Sequence, residues 1–165
     1  MAEEFVQLAL KLGAEQAKII SPQSVVTAQW VRWKCQYGCE YFNRCLTCPP
    51  FSPTPSQTRE MLAPYQQGIL FSSSQSFTVR YLAGALEREV FLAGYYATFA
   101  LGAGPCHLCE ECDPNKPCLH PYQARPSMEA CGIDVFATVR NNGLALEVLR
   151  ETKEPGKYFG LLLLE

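Results

Sequence analysis

The chain has 165 residues, 18% of them charged, and a formal net charge of −2. That length supports one domain, 1–165, with a sizeable core, and is too short for two comfortable ones. The charge balance supplies no basic field for nucleic acid or an anionic membrane surface, so neither is an expected partner. The opening MAEEFVQLALKLG is acidic and amphipathic, unlike a secretory signal, and points to the cytoplasm.

In chain order, Phe5, Leu8, Ala9 and Leu12 recur at helical spacing, with Gly13 placed to end the turn. AKII then reads as a short buried strand before Ser21-Pro22, and QWVRWK, residues 29–34, alternates weakly and runs into Cys35. Thr54, Pro55 and Gln57 match N-cap, first helical residue and reciprocal cap of a helix that stops near Pro64. GILFSS is a predicted strand.

Residues 81–101 are expected to form a longer helix, with Leu82, Leu86, Ala93, Tyr96 and Ala100 roughly along one side. The uncharged run Val90 to Cys109 has the length of a membrane span, but three Gly, two Tyr, a Thr, a Pro and two Cys favour a buried helix. Asp134 is expected to cap a short helix through Arg140, ended by Asn142-Gly143. LALEVLR and YFGLLLL read as a terminal hairpin or two neighbouring strands. The fold expected is α/β or α+β: a small mixed sheet, flanking helices and two cysteine-rich metal-binding loops that cap one core from the same side.

Nine cysteines in a reducing compartment are not presumed to be disulfides, and the odd number argues against a complete disulfide framework. In GPCHLCEECDPNKPCLHP, Cys106, Cys109 and Cys112 stand at i, i+3 and i+6, so a chain wound about a compact object can present three sulfurs to successive corners. This comb resembles the iron–sulfur run of bacterial ferredoxins. Cys118 follows after five residues rather than three, and the proline is at 121, which weakens a ferredoxin fold without weakening a cluster. Mononuclear zinc is the main competitor, because four thiolates satisfy its tetrahedral geometry; the middle thiol of a comb is awkwardly placed for one ion. In KCQYGCEYFNRCLTCPP, Cys35, Cys39, Cys45 and Cys48 offer a second tetrathiolate set. If one of them is a spectator, three ligands leave a coordination position open to substrate. Gly38 is expected to permit a tight bend after Cys35 and Pro49-Pro50 to stiffen the exit from Cys48. A structural metal knuckle is the alternative for this loop.

The segments VRWKCQYGCEYF with CPPFSPTP, GPCHLCEECD with PCLHP, and ARPSMEACGIDVFATV with YFGLLLL resemble an uncharacterised prokaryotic family of predicted metal-binding proteins, a domain of unknown function. The resemblance implies metal binding by Cys35, Cys39, Cys48, Cys106, Cys109, Cys112 and Cys118. Cys45 stands where that pattern has no regular cysteine, and Cys131 where a small or apolar residue serves, which makes it a buried thiol rather than a ligand.

His107 and His120 flank the comb and could ligate or donate hydrogen bonds to sulfur. Ser127 and Asp134 read as helix caps, and Arg125 as a cluster counter-charge, an anion holder or one half of an ion pair. Trp30 and Trp33 are expected to pack, and Glu129 lies close behind the cluster loop. Phosphate-loop, G-x-S-x-G and H-E-x-x-H signatures are absent. The expected function is metal binding through one or two iron–sulfur clusters, of the 4Fe-4S kind, in a redox or carrier role with a protein partner. The alternatives are a small enzyme acting on a small molecule at an open three-cysteine cluster, and a zinc-stabilised interaction domain.

Overall fold

The computed structural model describes residues 1–165. Five helices surround one four-stranded sheet: α1 (Ala2–Leu12), β1 (Gln16–Ile20), α2 (Gln29–Gly38), α3 (Pro55–Leu62), β2 (Gln67–Ser73), α4 (Ser76–Leu92), β3 (Phe99–Leu101), α5 (Val135–Asn141) and β4 (Tyr158–Leu164). The strand order is β1-β2-β4-β3 and every neighbouring pair is antiparallel. This is an α+β architecture.

The sheet expected to be mixed is therefore antiparallel throughout, for a topological reason. Both β2 and β3 run opposite to β4, so they are parallel to each other and joined by α4, the arrangement of a β-α-β unit. The C-terminal strand inserts between them and separates the parallel pair.

Side chains on β4 alternate between two buried layers. Leu162 and Leu164 join Ile69 and Phe71 of β2 under α1 and α4, which contribute Phe5, Val6, Ala9, Val79, Leu82, Leu86 and Val90. Phe159, Leu161 and Leu163 join Leu70 beneath Leu62 of α3 and Val135 and Val139 of α5, with Met128, Cys131 and Ile133. Coverage on both faces explains why GILF and YFGLLLL are continuous apolar runs rather than alternating ones. Phe71 faces Gly160 in the register, and a Cβ there would lie 2.5 Å from the Phe71 ring. The missing side chain makes room for the phenyl ring.

Local signals behaved as their chemistry requires. Gly13 closes α1 in the left-handed region at φ 118°. The Thr54 hydroxyl accepts the Gln57 N–H at 3.2 Å while the Gln57 side chain accepts the Thr54 N–H at 2.9 Å. Asp134 accepts the Ala137 N–H at 3.0 Å to begin α5.

Other expectations need correction. The long helix spans Ser76–Leu92, and Gly94 at φ 106° follows its end; Ala100 and Leu101 lie in β3, paired with Leu162 and Leu161. The run from Val90 to Cys109 is thus a helix end, a strand and a loop. LALEVLR forms no strand, because β2 and β3 already occupy both sides of β4. QWVRWK is helical: Val31 is buried in α2, and Arg32 reaches the Ser52 and Pro53 carbonyls at 3.2 and 2.9 Å. Trp30 and Trp33 remain 45% and 55% exposed on that helix instead of packing.

Both cysteine loops hang from one short segment. Gly102 donates to the Pro126 carbonyl at 2.9 Å and accepts the Met128 N–H at 3.0 Å, closing the comb loop at its base. The Ser52 hydroxyl donates to the Ala130 carbonyl at 2.5 Å and the Thr58 hydroxyl to the Cys131 carbonyl at 2.6 Å, fixing the exit of the first loop to the same turn. Gly132, at φ 76°, lets that turn press on α3, since a Cβ would come within 2.3 Å of the Pro55 ring.

Candidate metal centre

The first loop begins on a helix. Cys35 occupies the last turn of α2 and Cys39 its C-cap, with the Cys39 N–H on the Cys35 carbonyl at 3.2 Å. Spacing of four residues brings both toward one side of the helix end. Successive turns then wrap the chain inward: Phe42 N–H to the Cys39 carbonyl at 3.3 Å, Asn43 N–H to the Pro49 carbonyl at 2.8 Å, and Cys48 N–H to the Cys45 carbonyl at 2.9 Å. The left-handed residue in this path is Asn43, at φ 60°, and not Gly38, which closes α2. The result buries Cys45 and Cys48 and leaves Cys39 exposed and Cys35 half-buried.

In the comb loop Cys106, Cys109, Cys112 and Cys118 are all half-buried. The two loops meet directly. The Leu46 N–H donates to the Cys112 sulfur at 3.4 Å, and the rings of Tyr41 and His107 meet edge to face at 5.7 Å. The expectation that both loops cap the molecule from one side agrees with these contacts. Between them lies a cleft of about 800 Å³, lined by Cys45, Cys106, Cys109, Cys112, His107 and Tyr41, with several acidic side chains at its rim. Cys118 is outside that lining; its sulfur accepts the His120 N–H at 3.4 Å.

Electrostatically the thiols form two sets that meet at Cys45. A hydrogen bond with the Cys48 thiol draws the Cys45 thiol well below its ordinary range against the effect of burial, with Thr47 and the Cys106 N–H adding to it. The same bond, then burial, pushes Cys48 up. Burial raises Cys35, helped by Cys39, and raises Cys106 and Cys112, helped by neighbouring thiols that include Cys45. Cys35, Cys39 and Cys48 are thus neighbours in one group and the comb thiols in the other, with Cys45 at the junction.

All nine cysteines are free thiols. As the side chains stand, no three His, Cys, Asp or Glu groups converge closely enough to hold a metal ion. The donor set nevertheless fits a soft metal in kind, being cysteine sulfurs with backbone N–H groups aimed at two of them. Sequence spacing assigned Cys45 to the first loop alone; its place in the cleft of the comb depends on turns that spacing does not encode.

The other candidates resolve into structural roles. Arg125 forms a largely buried ion pair with Glu87, its Nε donating at 2.7 Å, and its guanidinium lies 5.6 Å from the centre of the Phe99 ring. Glu87 also accepts the Ala100 N–H at 2.7 Å. Ser127 caps the turn at 129–131 by accepting the Ala130 N–H at 3.0 Å. Cys131 is fully buried in the apolar layer, and burial pushes its thiol up to about 12. No helix is long and apolar enough to cross a membrane.

No curated protein and no solved structure matches the chain. A family model does, over residues 18–164, which takes in both cysteine loops, all four strands in whole or part, and α2 to α5. The chain belongs to the family described as predicted metal-binding protein (DUF2284).

Proposed function

We propose that the two loops hold one or two iron–sulfur clusters, of the 4Fe-4S kind, and that the protein serves a redox or carrier role. The observation that carries this reading is the gathering of thiols from both loops around one cleft of about 800 Å³, spread about a space wider than a single ion fills. Cys106, Cys109 and Cys112 would hold one cluster together with a fourth thiolate, and Cys35, Cys39 and Cys48 a second. A bound cluster would supply a one-electron couple or, at an iron lacking a fourth thiolate, a Lewis acid.

The chain's own groups support such a centre. The N–H groups of Leu46 and His120 donate to the Cys112 and Cys118 sulfurs, the kind of contact that orients a sulfur ligand and tunes what it binds. Tyr41 and His107 form one wall of the cleft. The exposed Cys39 favours the second reading, a small enzyme, because a three-thiolate set at the surface would leave a position within reach of a small molecule.

Anaerobic purification with iron, zinc and acid-labile sulfide counted together tests the proposal. Iron and sulfide in equal amounts support clusters. Zinc without sulfide overturns them in favour of a structural site.

A further inference from the structure

We infer that Cys45, although it belongs to the first loop, is a ligand of the comb centre, completing a four-thiolate set with Cys106, Cys109 and Cys112. The inference rests on the metal-centre reading above and assigns a residue which that reading left out. It replaces Cys118 as the fourth thiolate of this set.

Placement is the first argument. Cys45 lines the same cleft as the three comb thiols, whereas Cys118 does not. Cys118 accepts the His120 N–H at 3.4 Å, a contact within its own stretch of chain, whereas the Leu46 N–H on Cys112 comes from the loop that carries Cys45.

Surroundings are the second. A buried cysteine that only fills space lies among apolar atoms, as Cys131 does beside Met128, Ile133 and Leu163. Cys45 is 3% exposed yet belongs to neither apolar layer. Its sulfur lies 3.2 Å from the Thr47 hydroxyl and faces the thiols of Cys48 and Cys112. Burial among polar donors and other thiols is the environment of a ligand and not of a packing residue.

The third argument is how firmly this position is held against the other loop. The next residue, Leu46, donates its N–H to the Cys112 sulfur across 66 positions of sequence. The turn from Cys48 N–H to the Cys45 carbonyl, at 2.9 Å, keeps the side chain pointing into that junction. A metal centre held by Cys45 would therefore staple the two loops together, and the first loop would keep Cys35, Cys39 and Cys48 as a three-thiolate set with Cys39 at the surface.

Cysteine labelling tests this without any activity assay. The metal-loaded full chain is treated anaerobically with iodoacetamide and the labelled peptides are read by mass spectrometry, for the parent, Cys45→Ser and Cys118→Ser. The expected result is protection of Cys106, Cys109 and Cys112 in the parent, its loss in Cys45→Ser with Cys35, Cys39 and Cys48 unchanged, and its retention in Cys118→Ser. Continued protection of the comb in Cys45→Ser overturns the assignment. So does exposure of Cys35, Cys39 and Cys48 instead, which would make Cys45 their ligand, or loss of comb protection in Cys118→Ser. Labelling of the buried Cys131 reports unfolding; if Cys45→Ser unfolds, Cys45→Ala is read in its place by the same criterion, and loss of comb protection in Cys118→Ser overturns the inference on its own. Iron, zinc and sulfide counted on the same parent sample separate the two questions: zinc without sulfide sinks the cluster reading and leaves the ligand test readable, while a parent with no metal and no protection sinks both.

Discussion

Replacing Glu87 with Gln should be among the most damaging changes outside the apolar layers. The Glu87 and Arg125 side chains are only 13% and 16% exposed, so water does little to screen either charge. The carboxylate takes the Arg125 Nε at 2.7 Å, a second guanidinium N–H, and the Ala100 N–H at 2.7 Å. An amide can accept at only one of its two ends, and it leaves the guanidinium without a counter-charge. Removing one partner of a buried pair costs about 3–5 kcal/mol, and the residual exposure here places the loss at about 3. For a chain of this size that is a fall in Tm of roughly 6–12 °C. Urea denaturation of metal-free parent and variant measures it directly. A loss below about 0.5 kcal/mol would mean the pair behaves as a surface contact and would refute the reasoning. The double variant Glu87→Leu with Arg125→Met should recover much of the loss, because no unpaired charge remains.

Gly160→Ala should destabilise by about 2 kcal/mol through overpacking, because the new methyl would meet the fully buried Phe71 ring at 2.5 Å and the Leu101 carbonyl at 2.8 Å; a midpoint in urea equal to the parent's would contradict that. Cys131 binds its proton more tightly folded than unfolded, since its thiol is raised from 9.0 to about 12. Its contribution to stability is then complete below 9.0 and is lost as pH rises through about 12, so Cys131→Ala should flatten the fall in stability over that window, and an unchanged slope would show that the thiol does not cause it. Removing metal anaerobically with a chelator should leave the far-ultraviolet circular dichroism nearly intact, in contrast to a small zinc domain that unfolds without its ion; loss of the whole spectrum would mean that the sheet does not stand alone.

What was legible in the sequence follows the range of the interactions involved. The caps at Thr54 and Asp134 are bonds between residues three apart, so the residue types alone announce them. The strand at 158–164 was legible because a continuous apolar run of seven residues suits a strand covered on both faces. The boundary after α4 was not, since Ala100 and Leu101 suit a buried helix and a buried strand equally, and pairing with Leu162 and Leu161 decides between them. LALEVLR alternates well enough for a strand but finds no free edge beside β4. Among the thiols, spacing revealed the comb, while the place of Cys45 depends on a left-handed Asn43 and on a contact with Cys112 across 66 positions.

The same distinction of range explains how two loops so far apart in sequence can line one cleft. The ends of neither loop are positioned by its cysteines. The first is held by Ser52 and Thr58 on the carbonyls of Ala130 and Cys131, and by Arg32 on the carbonyls of Ser52 and Pro53. The second is held by Gly102 against Pro126 and Met128 and by Arg125 on Glu87. Both sets of anchors converge on residues 125–131, whose Met128 and Cys131 side chains lie at zero exposure in the layer beneath the sheet. Oxygen and nitrogen thus fix where the loops begin and end, and the thiols are left at the tips for the chemistry. A substitution at a tip should alter what is bound, whereas one at the shared turn should displace both loops at once, because both are anchored there.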